Sequence, residues 1–171
     1  MTEQWRPVVG WEGLYEVSDQ GRVRSVDRVI ARRNGLRHTH RGQILKACPI
    51  KSGHLVVRLM NAGFGSTRTV HRLVLEAFIG PCQIGHEGCH IDGNHKNNRV
   101  DNLYWGTRSE NLLDQVRHGV HVNASKTHCI HGHEFTTENT YRRNRPGGGR
   151  ICKSCLSERK RARRAQLMEV K

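Results

Sequence analysis

The stretch Cys89-His-Ile-Asp-Gly-Asn-His-Lys-Asn-Asn-Arg-Val-Asp-Asn-Leu-Tyr-Trp-Gly-Thr-Arg-Ser-Glu-Asn111 decides how this chain folds. A short β-type run over residues 85–91 leads into it and carries His90 near its end. The loop that follows is rich in Asp, Gly and Asn, which tolerate φ > 0 or bond their own backbone and so suit turns. Leu103, Tyr104 and Trp105 form a second β-type run, a returning strand. Thr107-Arg108-Ser109-Glu110 has the form of a capping box, in which a hydroxyl and a carboxylate satisfy the first amides of a helix. Leu112, Leu113 and Val116 give that helix an apolar side, and Gly119 can end it. The predicted order is strand, long loop, strand, helix.

His90, Asn102 and Asn111, with His-Ile-Asp-Gly-Asn at 90–94, Asn-Asn-Arg-Val-Asp-Asn-Leu at 97–103 and Ser-Glu-Asn at 109–111, resemble the HNH nuclease motif in its ββα-metal fold. Over residues 69–119 the chain is similar to phage-borne HNH homing endonucleases. That resemblance implies His90 as the general base and Asn102 as the brace of the loop. It implies Asn111 as a ligand of a catalytic divalent cation, Mg²⁺ or another. The position before the base is a second ligand in many relatives, and here it is Cys89. A thiolate is soft, whereas Mg²⁺ prefers oxygen. Asp114, on the same helix face as Asn111 and His118, is a candidate substitute ligand, although a solvated helix face is the simpler reading of Asp114 and His118. The chemistry asks for such a set on its own terms. Phosphodiester hydrolysis needs a base that titrates near neutrality, which His supplies untuned, and a cation on the developing charge.

The chain has 171 residues, 35% of them hydrophobic, and a mean hydropathy of −0.70, which favours two or three small modules over one large core. No apolar run is long enough to span a bilayer, and the first residues do not read as a signal peptide. A cytoplasmic location is expected, that of the host cell if a phage encodes the protein. In that compartment the 6 cysteines would bind metal in preference to forming disulfides. The formal charge of +14 is unevenly spread. Residues 1–60 carry 11 Lys/Arg against 5 Asp/Glu, residues 61–120 carry 6 of each, and residues 121–171 carry 12 against 4. A neutral centre with basic flanks suits a protein whose arms grip phosphates and whose centre cuts.

Around residues 14–17 and 22–26 two strand-like runs flank a turn at 18–21 that ends in Gly21. Arg22 and Arg24 alternate with Val23 and share a face. This stretch resembles the small N-terminal module joined to HNH homing nucleases and thought to contact DNA. Trp5, Trp11 and Tyr15 read as its miniature core. Residues 29–42, with Arg32, Arg33, Arg37 and Arg41, read as a basic loop that orders on DNA. Further strands are expected at 44–46, 54–60 and 67–70, and a buried helix at 70–79 with His71 at its start. Cys82 and Cys89 are either a metal half-site or packed free thiols.

Past a polar linker at 118–126, Cys129-x₃-His133 and Cys152-x₂-Cys155 supply four ligands at Zn²⁺ spacing, with a hairpin candidate at 141–149 between them. So few apolar residues lie here that a structural Zn²⁺ would have to supply the stability. Arg159, Lys160, Arg161, Arg163 and Arg164 then follow in a run of good helix formers with no wide apolar face, which fits a helix laid along phosphates.

The expected fold is α+β: a β-rich N-terminal module and basic loop at 1–42, an HNH core at 43–119 and a zinc-stabilised basic module at 120–171. The expected function is metal-dependent endonuclease action on double-stranded DNA, by a monomer or, alternatively, a dimer. Two rivals are a DNA-binding regulator with an inactive core and an HNH nuclease that works with phage packaging machinery.

Overall fold

Up to residue 69 the chain alternates Val, Leu and Tyr with polar residues, the period of strands, and it folds accordingly. The computed structural model describes residues 2–31, 35–61, 63–144 and 149–169. β1 (Trp5–Pro7), β2 (Tyr15–Ser18) and β3 (Val23–Ser25) make an antiparallel sheet in that order. Gly21 turns β2 into β3 at φ 78°, a region that glycine enters freely. β4 (Arg28–Ala31) and β5 (Arg37–His40) then pair antiparallel, from Arg28↔His40 to Ala31↔Arg37. Part of the expected basic loop is therefore a hairpin. Val29, Ile30 and Thr39 favour extended backbone, and the ladder satisfies its amides without needing a core. Arg37 lies on β5, while Arg32 and Arg33 fall outside the described residues.

β6 (Cys48–Pro49), β7 (Leu55–Asn61) and β8 (Phe64–Thr69) form a second three-stranded sheet. Its hairpin is tighter than the connector expected at 61–66, because Asn61 already pairs with Phe64. α1 (Val70–Phe78) follows at once, with Val70, His71, Leu73, Val74 and Leu75 buried. β9 (His86–His90) and β10 (Leu103–Thr107) are the two strands of the diagnostic stretch, in register from His90↔Leu103 to His86↔Thr107. α2 (Arg108–Arg117) starts at the anticipated capping box: Thr107 Oγ1 accepts from the Glu110 amide, and the Glu110 carboxylate accepts from the Thr107 amide at 2.7 Å.

The β9–β10 ribbon carries a helix on each face. A Cβ on Gly88 would meet His71 and Leu75 of α1, whereas the neighbouring Glu87 reaches Asn111 of α2. One apolar cluster joins Val8, Tyr15, Val17 and Val23 to Val57, Leu59, Val70, Leu73, Val74, Leu75 and Leu103. The boundary expected at residue 42 thus falls inside a shared core, and residues 1–118 are one compact unit.

Residues 119–171 are a second unit. It holds α3 (Val122–Ser125), the antiparallel pair β11 (Thr140–Arg142) and β12 (Arg150–Cys152), and α4 (Lys153–Glu169). Among its described residues only Cys152 is a buried apolar side chain. Polar ties substitute for a core. Arg150 donates to the carbonyls of Asn123, Ala124 and Lys126 and stacks 4.5 Å over Phe135.

Candidate active site

His90 ends β9 and is 7% exposed. Burial lowers its pKa, partly offset by a hydrogen bond between Nε2 and Asn98 Oδ1 at 3.0 Å. A lowered value keeps the ring neutral, and a neutral ring is what a base requires. Three other rings surround it, those of His71, His95 and His54, with centroids at 5.2, 5.6 and 5.7 Å. His54 and His95 stack at 4.1 Å, and His95 Nδ1 bonds the Ser52 carbonyl at 2.8 Å. Burial depresses His71 to about 3 and His54 to about 4, with the neighbouring rings adding to both shifts. His71 Nδ1 is buried without a partner.

Asn102 closes the loop that follows His90. Its Nδ2 donates to Asp92 Oδ1 at 2.9 Å and to the Asn97 carbonyl at 2.8 Å, and its Oδ1 accepts from the Asp92 amide at 3.1 Å. The Ile91 amide donates to the Asn102 carbonyl. Desolvation would raise Asp92, but donors on Asn97, Asn102 and the Asn94 backbone outweigh it and bring the carboxylate to about 2.

Strand alternation places Cys89 and Glu87 on the α2 face of the ribbon, and His90 on the other. Asn111 Nδ2 donates to Glu87 Oε1 at 2.5 Å. Cys89 is 2% exposed and donates to the Glu87 carbonyl, and burial pushes its thiol up. A buried, protonated thiol does not fit a hard divalent cation, whereas the Glu87 carboxylate and the Asn111 amide oxygen do. Asp114 is committed elsewhere: it accepts from the Tyr104 hydroxyl and pairs with Arg117 at 2.7 Å. Glu87 escaped the sequence reading, although its place two residues before Cys89 puts both on one strand face. His95 and Asn98 lay inside the quoted motif without a role being assigned to them, and His54, far from it in sequence, carried no local signal.

Arg22 and Arg24 flank the Trp5 ring, as a shared face implies, but each is already paired, with Glu3 and Glu16 respectively. Arg37 is exposed on β5, and Arg159, Lys160, Arg163 and Arg164 are exposed on α4.

In the second unit the ligand atoms of Cys129, His133, Cys152 and Cys155 all lie within 4.8 Å of one another. Cys129 Sγ is 3.6 Å from Cys155 Sγ, and His133 Nδ1 is 3.3 Å from Cys155 Sγ. A tetrahedron with metal–sulfur bonds of about 2.3 Å sets its sulfurs roughly 3.8 Å apart, so the cluster has the size of a metal's coordination sphere. Burial raises the Cys129 thiol, but the amides of His131 and His133 bring it down to about 6; burial and the neighbouring thiols push Cys155 up to about 12. His133 turns its Nε2 to Glu158 at 3.4 Å, leaving Nδ1 for a metal, the arrangement in which a carboxylate orients a ligating imidazole. His131 is outside the cluster.

Two families match this chain: the NUMOD4 motif over residues 3–60 and the HNH endonuclease family over residues 68–113. The DNA endonuclease I-HmuI of Bacillus phage SP01 is 34% identical over 127 residues, which are 74% of this chain and 65% of that protein. A solved structure described as DNA binding and cleavage by the HNH homing endonuclease I-HmuI superposes with a TM-score of 0.55 at 33% identity. The match covers 68% of this chain and 60% of that one. The chain thus spans less than two thirds of the relative's length.

Proposed function

From the premise that this chain carries an HNH endonuclease domain behind a NUMOD4 motif, we propose that it is a metal-dependent endonuclease of the phage homing type acting on double-stranded DNA. The observation that carries this is His90, buried and held neutral at the mouth of the Asn102-braced loop, with the Glu87–Asn111 pair across the same ribbon. His90 removes a proton from the water that attacks the scissile phosphorus. Asn102 keeps the loop at residues 91–102 from shifting the base. Glu87 and Asn111 are the residues suited to hold a divalent cation, Mg²⁺ or Mn²⁺, whereas Asp114 could replace Cys89 as a ligand only by giving up Tyr104 and Arg117. When bound, the cation supplies charge stabilisation to the phosphate and the leaving oxygen.

The Cys129, His133, Cys152 and Cys155 cluster takes structural Zn²⁺, which supports a unit with almost no apolar core. Arg37 and the cations of α4 contact phosphates. Arg22 and Arg24 do so only by giving up Glu3 and Glu16. The protein acts as a monomer, with a phage's host cytoplasm as its setting. Among the described residues no helix is long and apolar enough to cross a membrane.

Phage and bacterial genomic DNA incubated with Mg²⁺ or Mn²⁺, with the ends mapped by sequencing, is the test. Discrete cuts are expected from the wild type, and none from His90→Ala, which should still bind DNA with nearly unchanged affinity. A variant that cuts at close to the wild-type rate would remove His90 as the base. A wild type that binds but never cuts would favour the DNA-binding regulator, and one that cuts only beside packaging proteins would favour the packaging role.

A further inference from the structure

Asn98 sits in the loop between β9 and β10 and is 3% exposed. Its Oδ1 lies 3.0 Å from His90 Nε2, while its Nδ2 points to the Lys96 carbonyl at 3.5 Å. Reversing the amide would set two carbonyl oxygens against each other at Lys96, so the oxygen belongs on the His90 side. An amide oxygen only accepts, so His90 must donate from Nε2, and the lone pair then resides on Nδ1. Asn98 is itself wedged from behind by the turn between β2 and β3. A Cβ on Gly21 would lie 2.7 Å from the Asn98 carbonyl oxygen and 2.8 Å from its Cβ. The Val100 amide donates to the Asp19 carbonyl at 2.9 Å, and the Arg99 guanidinium donates to Gln20. The N-terminal segment therefore closes over the backbone that carries Asn98.

We infer that Asn98 is a positioning residue that fixes His90 as the Nε2–H tautomer, so that Nδ1 is the basic atom, and that the turn at residues 18–21 holds Asn98 in place. This deepens the general-base assignment and rests on it. The N-terminal segment, besides any contact with DNA, is then part of the scaffold of the active site. The rings of His54, His71 and His95 pack around the imidazole, and the Asn98 amide decides which nitrogen is free.

The test uses the full chain labelled with ¹⁵N-histidine and a long-range ¹H–¹⁵N correlation, which distinguishes the tautomers directly. His90→Gln identifies the signals of His90. The wild type should show a proton on Nε2. Asn98→Ala should lose that preference, and turnover at saturating DNA should fall about tenfold or more, up to the ~10²–10⁴ that a general base contributes, with KM little changed. Asn98→Asp keeps an acceptor toward Nε2 and should restore the tautomer and most of the turnover. A wild-type His90 protonated on Nδ1, or an Asn98→Ala protein with an unchanged tautomer, overturns the inference. The spectra answer independently of cleavage, so a failure of His90 as the base, seen as an active His90→Ala, is told apart from a failure of Asn98 as its anchor.

Discussion

Acidification should destabilise the first unit through His71, and the size of the effect follows from its burial. The folded pKa is about 3, against about 6.5 for an unfolded histidine. As pH falls, the unfolded chain takes up the proton first. The stabilisation is therefore complete above pH 6.5 and is lost steadily as pH drops toward 3. Between pH 7 and pH 5 the linkage amounts to about 2 kcal/mol from this residue alone. His54 and His90 are shifted the same way and add to it. Asp92, also lowered on folding, loses its stabilisation in the same direction as pH falls, but between an unfolded value near 3.8 and a folded value of about 2, below this window. His71→Phe keeps a flat ring in the same space and removes the titration. Nδ1 has no partner to lose, so the substitution should cost under about 1.5 kcal/mol at pH 7. Trp5, Trp11 and Trp105 all lie in the first unit, so urea unfolding followed by tryptophan fluorescence reports on it specifically. The variant should lose about 2 kcal/mol less than the wild type between pH 7 and pH 5. Equal losses in the two proteins, or a wild type that barely responds, would show that His71 is not held neutral by its burial.

Glu87→Gln should weaken Mn²⁺ binding about tenfold or more, followed by the electron paramagnetic resonance of free Mn²⁺ on zinc-loaded protein, while Cys89→Ser leaves it nearly unchanged; the reverse pattern would return the ligand role to Cys89. Cys155→Ser should release one Zn²⁺ per chain and loosen the second unit, since a four-ligand site in so small a core rarely survives the removal of one ligand; elemental analysis of purified protein decides it, and a wild type free of zinc would refute the site. Replacing Arg159, Lys160, Arg161, Arg163 and Arg164 by Gln preserves α4 and Glu158 while removing all of its cations but Lys153. The dependence of log Kobs on log salt should become shallower by about 0.9 for each phosphate that is no longer neutralised, and an unchanged slope would make α4 a bystander.

Local chemistry made much of this protein legible from its residues alone. The capping box at Thr107 and Glu110, the strand ending at His90 and the loop closed by Asn102 depend on neighbours within about twenty positions, so spacing and residue type suffice to place them. The same holds for the hairpin that brings Cys129 and His133 to Cys152 and Cys155, where ligand spacing is itself the signal. Other features had no such short-range mark. His54 and His95 stack although 41 positions separate them, and nothing near either one announces the other. Arg22 and Arg24 look like free cations in sequence, and only the folded sheet shows Glu3 and Glu16 neutralising them. Cys89 and Glu87 share a strand face by the period of two, yet burial is what holds the thiol protonated and the fold is what sets the carboxylate beside Asn111. The approach of Gly21 to Asn98 joins segments 77 residues apart. Sequence fixes what is decided by hydrogen bonds between near neighbours. Desolvation, ring packing and ion pairing depend on which distant side chains exclude water from a given atom, and only the tertiary structure decides that.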